Sequence, residues 1–139
     1  MRKLVAAAGA LALIIGVAGD ATARRGVAVQ NYDNVPIVRP DGALLTSKRV
    51  REAIVRATQR NNWIIEQDAA GLVVATFSIK GKHSLTVDIR FSESQFSIDY
   101  HGSSNLNYTQ GAGGPVIHPA YNKEVKVLLD TITAELRTA

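Results

Sequence analysis

Between Leu72 and His101 apolar and polar residues alternate almost without a break. Val73, Ala75, Phe77 and Ile79 take turns with Leu72, Val74, Thr76 and Ser78, and Leu85, Val87, Ile89 and Phe91 with Ser84, Thr86, Asp88 and Arg90. Phe96, Ile98 and Tyr100 then alternate with Ser97, Asp99 and His101. A period of two puts successive side chains on opposite faces, so the pattern predicts three strands, over 72–79, 83–91 and 96–101, each buried on one face. Apolar residues of neighbouring strands must face the same side, which sets the register. Ile79 then pairs with His83 and Phe77 with Leu85, leaving Lys80-Gly81-Lys82 as a three-residue turn with a left-handed glycine. Phe91 pairs with Phe96 and Ile89 with Ile98, leaving Ser92-Glu93-Ser94-Gln95 as the next turn. On the polar face Asp88 stands opposite Asp99, Arg90 lies diagonal to Asp99, and Thr86 faces His101.

The flanks change period. Val50, Ala53, Ile54 and Ala57 fall at i, i+3, i+4 and i+7, which predicts a helix over Thr46–Asn62, capped by Thr46 or Ser47 and ended by Asn61-Asn62. Trp63–Glu66 comes next as a further strand, with Trp63 beside Ala75 and Ile65 beside Val73, and with Asp68-Ala69-Ala70-Gly71 as the turn. Trp63 reads as a core anchor. Residues 101–119 read as loop, in which Leu106 and Tyr108 extend a fifth strand and Gly111–Gly114 is mobile. Pro119 opens a second helix with Tyr121, Val125, Leu128, Ile132 and Leu136 along one side. The expected fold is α+β: a four- to five-stranded antiparallel meander with an N-terminal-side helix and a C-terminal helix, both covering the Val73/Phe77/Ile89/Ile98 face.

Upstream, Arg2 and Lys3 precede an apolar run from Leu4 to Gly19 and then Ala21-Thr22-Ala23. A basic start, a short apolar core and an A-x-A site describe a secretory signal peptide. The run is shorter than the ~20 apolar residues of a spanning helix. The expected organisation is a signal peptide over residues 1–23 cut after Ala23, an extended segment over 24–45, and one domain over 46–139. The expected location is the periplasm, with no transmembrane segment in the mature chain. Val27–Tyr32 reads as a short strand, and Pro36 and Pro40 break the chain beyond it into extended connection. The chain has no cysteine, so packing has to hold the domain without disulfides.

The net charge of +4 is concentrated in the first helix, where Lys48, Arg49, Arg51, Arg56 and Arg60 stand against Glu52 alone. A solvated helix face is the plainer account. As a binding surface, Arg49, Arg56 and Arg60 suit an anionic lipid head group rather than nucleic acid, which an exported protein meets little of.

Several of these features recur together: Val50, Ala53, Ile54 and Trp63; Gly71 before an alternating strand; His83 opening the next; then FSIDY over 96–100, SSNLNY over 103–108 and IHPAYN over 117–122. In this order they resemble a family of small bacterial envelope proteins, many of them lipoproteins, of uncharacterised function. The resemblance spans about Thr46 to Ile132. This chain lacks the lipid-attachment cysteine, and Lys123-Glu124 stands where relatives usually offer a tryptophan. The resemblance implies an envelope location and this fold, not a reaction.

Candidate chemistry falls into three groups. Asp88 and Asp99 with Arg90 and His101 could share a proton or serve a small metal-dependent hydrolase. The plainer account is two solvated aspartates neutralised by Arg90. His83, His101 and His118 lack metal-ligand spacing and are not read as a zinc site. The loop set Ser103, Ser104, Asn105, Asn107, Tyr108, His118, Tyr121 and Asn122 could bind a glycan or peptide, or could satisfy the backbone of a long turn, with His118 then capping the second helix. No G-x-S-x-G and no phosphate loop occurs. The expectation is a non-catalytic exported domain with no metal and no cofactor, meeting an envelope protein or an anionic envelope component. Its ligand-binding residues are taken as Ser104, Asn105, Asn107, Tyr108, His118, Tyr121 and Asn122, and its protein-docking residues as Ile64, Leu72 and Val74.

Overall fold

The computed structural model describes residues 26–139; the signal peptide expected over residues 1–23, and its cut after Ala23, lie outside them. In chain order the elements are β1 (Val27–Ala28), β2 (Tyr32–Pro36), α1 (Ser47–Arg60), β3 (Ile64–Ala69), β4 (Leu72–Ile79), β5 (His83–Phe91), β6 (Gln95–Ser104), β7 (Thr109–Gly111), β8 (Gly114–Ile117) and α2 (Pro119–Thr138). The alternating stretch forms the centre of a five-stranded antiparallel sheet in the order β2-β6-β5-β4-β3, and a small three-stranded sheet is ordered β1-β8-β7. Two helices on an antiparallel sheet make the α+β fold that the periodicity predicts.

The central register follows the apolar faces: Ile79 pairs with His83, Phe77 with Leu85, Ile89 with Ile98, Phe91 with Phe96 and Asp88 with Asp99. In the β4–β5 turn both Lys80 (φ 54) and Gly81 (φ 71) are left-handed, and Lys82 N donates to Ile79 O over 3.2 Å. Two positive φ values in succession give the turn the twist of the flanking strands. At the β5–β6 turn Ser92 Oγ accepts from the amides of Ser94 and Gln95.

Five expectations need correction. A bulge between Thr86 and Val87 pairs Thr86 with Gly102, so His101 is the extra residue and does not face Thr86. A second bulge, at Glu66, carries β3 on to Ala69 and pairs Ile65 with Ala75, not with Val73. Trp63 accordingly meets Phe77, with ring centroids 5.4 Å apart, instead of Ala75. Residues 101–119 are not all loop: β6 runs to Ser104, and Gly111–Gly114 forms the turn of the β7–β8 hairpin. The fifth strand is β2, not Leu106 and Tyr108. It runs to Pro36, which an edge strand tolerates because a proline there removes no shared ladder bond.

Each helix is stopped by local chemistry. Thr46 Oγ1 accepts from Arg49 N at the start of α1. At its end Asn62 is left-handed (φ 65), Asn62 N donates to Gln59 O and Trp63 N to Thr58 O, each over 3.0 Å. That pair of bonds is a Schellman motif with asparagine in the glycine role, and it points the chain straight into the tryptophan. His118 caps α2, its Nδ1 accepting from Ala120 N over 3.0 Å ahead of Pro119. Val50, Ala53, Ile54 and Ala57 of α1 and Tyr121, Val125, Leu128, Ile132 and Leu136 of α2 are buried against Val73, Ala75, Val87, Ile89 and Ile98. Among the described residues no helix is long and apolar enough to cross a membrane.

Candidate functional site

The outer face of the large sheet carries the acidic group. The bulge brings His101 Nδ1 to 2.7 Å from Asp88 Oδ1, to which it donates, and Arg90 Nη2 lies 3.7 Å from Asp88 Oδ2. Asp99 instead meets Asp33, a residue with no signal in the periodicity. Asp33 lies in the irregular stretch of β2 between Tyr32 and Val35, opposite β6. Partial burial, followed by the hydrogen bond and charge of Asp33, pushes the Asp99 carboxyl up to about 6, with Arg90 pulling it back and Asp88 adding to the rise. Among the described residues no three histidine, cysteine or acidic side chains are grouped to hold a metal ion.

This pair has a measurable consequence. A carboxyl whose pKa is raised by folding holds its proton more tightly in the folded state, so stability falls as pH rises from about 4 to about 6. Asp99→Asn removes the titrating group. In denaturant melts at about pH 4.5 and about pH 7, the parent is expected to lose stability relative to Asp99→Asn on going to the higher pH. Parallel behaviour of the two proteins would show that Asp99 is an ordinary surface carboxylate.

The residues expected to dock a partner separate. Ile64 is 64% exposed at the start of β3, and Leu72 is half-buried. Val74 is only 6% exposed, because its interior strand places it between Gln67 and Asp88, longer side chains on both neighbours. The apolar edge is therefore smaller than the alternation implies. The basic helix is also more neutral than its sequence. Arg51 bonds Asp68, with Nε 2.7 Å from Oδ1, while Arg56 and Arg60 both reach Glu135 of α2, at 3.3 and 3.0 Å. Two of the three arginines assigned to lipid thus hold the helices together.

The Ser104–Asn122 set divides five ways. Ser104 ends β6 opposite Ser84, exposed, and Asn107 is an exposed left-handed residue (φ 55). Tyr108 stacks on Tyr100, rings 4.3 Å apart and 6° from parallel, and Tyr100 Oη bonds Ser103 Oγ at 2.8 Å. Tyr121 is fully buried, its hydroxyl without a hydrogen-bond partner among the described residues, and no surface for a ligand is left on it. Burial is also the main reason its phenol is pushed well above the usual range. Asn122 pins the β1–β2 connection, Nδ2 donating to Ala28 O and Oδ1 accepting from Gln30 N.

Asn105 and His118 do converge. With Ile79, Lys80, His83, Leu106 and Ala120 they line a cleft of about 190 Å³ between the β4–β5 turn, the end of β6 and the start of α2. Left-handed Asn105 (φ 59) closes one side, its Nδ2 donating to Lys82 O over 2.7 Å and its main-chain oxygen accepting from His83 Nδ1 over 2.8 Å. His118 N donates to Leu106 O over 2.9 Å and closes the other. Ile79, Leu106 and Ala120 supply the apolar lining. A more open cleft of about 240 Å³ beside Asn34, Arg90 and Gln95 is poorer chemically. Its amides already bond within the protein, Gln95 Nε2 to Asn34 Oδ1 and Asn34 N to Ser97 Oγ. His83 and Lys80 are not among the residues that the sequence marks for binding. The turn that brings them beside His118 depends on a left-handed lysine, which sequence spacing does not reveal.

No family model matches the chain, and no curated protein matches it.

Proposed function

We propose that this protein is an exported, non-catalytic domain of the cell envelope that binds an envelope component through the cleft at the start of α2. The observation that carries this reading is the meeting of three separate chain segments around one small pocket. It has an apolar lining and two histidines whose second ring nitrogens have no partner among the described residues. Small concave sites with a few fixed polar groups are the usual form of ligand pockets. The N-terminal Arg2–Ala23 pattern and the resemblance to small envelope proteins support the location.

Ala120→Glu tests the cleft. A carboxylate in the first turn suits the helix dipole, so α2 is kept while the pocket is filled. The parent protein is expected to sediment with the insoluble envelope fraction of its native host, and Ala120→Glu to sediment at least about fivefold less, a difference of ~1 kcal/mol. Equal sedimentation of the two proteins would overturn the cleft as the binding surface.

A further inference from the structure

The two histidines of the cleft are held in opposite tautomers by backbone groups that cannot change roles. The partner of His83 Nδ1 is the carbonyl oxygen of Asn105, which can only accept. His83 therefore carries a proton on Nδ1, and as the neutral imidazole it offers a bare lone pair at Nε2. The partner of His118 Nδ1 is the amide of Ala120, which can only donate. His118 therefore has a bare Nδ1 and carries its proton on Nε2. Among the described residues neither Nε2 has a partner, so the residues that line the cleft include one free acceptor and one free donor together with apolar Ile79, Leu106 and Ala120.

That combination is selective. A carboxylate brings only acceptors and would meet the His83 lone pair with a like partner. A metal ion would need a lone pair from both rings, and His118 could supply one at Nε2 only by taking a proton on Nδ1 and giving up the cap of α2. A secondary amide brings a carbonyl for His118 Nε2–H and an N–H for the His83 lone pair. If that amide also bears a methyl group, the methyl meets the apolar lining. Building on the envelope-binding reading above, we propose that the cleft is a subsite for the acetamido group of an N-acetylated amino sugar. Lys80, at the exposed turn, stands beside it where the sugar ring and its substituents would lie.

The test uses ring-nitrogen NMR of the ¹⁵N-labelled protein, titrated with N-acetylglucosamine up to about 50 mM, since one substituent's contacts give millimolar affinity. The free protein is expected to show His83 protonated at Nδ1 and His118 at Nε2, and saturable shifts of both Nε2 signals with N-acetylglucosamine but not with glucose or glucosamine. His118→Asp keeps a good helix cap and removes the donor, and is expected to weaken binding about tenfold or more with the fold unchanged. Reversed tautomers would overturn the proposal, as would equal shifts with glucose. Equal shifts with a blocked dipeptide amide would reassign the subsite to peptide. No shift with any of these, in a protein that still sediments with the envelope and loses that on Ala120→Glu, would overturn the acetamido subsite and leave the binding reading standing.

Discussion

Trp63→Ala is expected to destabilise the domain by about 3–5 kcal/mol, the cost of emptying a large aromatic site in a core that cannot collapse onto it. For a domain of this size that lowers the melting temperature by roughly 10–25 °C. Trp63 is 4% exposed and its ring lies against Phe77, the planes tilted by 37°. It also occupies the position after the left-handed Asn62 in the motif that ends α1, where its amide bonds Thr58 O. The side chain therefore anchors the helix terminus and the strand start at once. Alanine keeps the amide bond and removes the anchor, so the effect isolates packing from capping. Thermal melts followed by far-ultraviolet circular dichroism measure it. A loss below about 1 kcal/mol would mean that the indole is not part of the core.

The double replacement Arg56→Ala with Arg60→Ala is expected to cost about 2–3 kcal/mol, and Glu135→Ala clearly less. The asymmetry comes from burial. Glu135 is 9% exposed on α2, whereas the side chains of Arg56 and Arg60 are 50% and 68% exposed on α1. Without Glu135 the two guanidinium groups turn to water at little cost, since exposed ion pairs contribute only about 0–1 kcal/mol. Without the arginines a nearly buried carboxylate is left uncompensated between two helices. Urea denaturation of the three proteins measures the difference, and equal losses would show that Glu135 reaches solvent when its partners are gone.

The same pair of arginines shows why charge along a helix is a poor guide to a binding surface. Arg56 and Arg60 are separated from Glu135 by more than seventy positions, and no local pattern announces their pairing. Val74 teaches the converse. Alternation assigns it to the wet face, and it does lie there, but neighbours on both sides cover it. Exposure depends on the strand's place in the sheet order, whereas alternation reports only the face.

Residues Ser104 to Asn122 do not form one ligand set for a related reason. Asn and Ser are equally good at serving a ligand and at satisfying a turn. Asn105 satisfies a turn, its side chain tying the β4–β5 turn while its carbonyl accepts from His83 Nδ1. His118 caps α2, as its place just before Pro119 implies. Tyr121 lies on the buried stripe of α2 beside Val125 and Leu128, a position that its helical spacing already gives it.

Local order of residues was enough for the antiparallel pairing from Ile79/His83 to Phe91/Phe96, for the two helices with their apolar stripes, and for a cap at Thr46 or Ser47, between which the structure selects Thr46. Each of these depends on neighbours within a few residues or on a strict period. The two bulges, the use of Tyr32–Pro36 as the fifth strand, the Asp33–Asp99 contact and the cleft of His83 and His118 came from the folded arrangement alone. A bulge shifts every later pairing by one without altering composition. The cleft, in turn, needs three segments brought together, by a left-handed Lys80 at one turn and by packing of α2 against the sheet, neither of which leaves a mark on the order of apolar and polar residues.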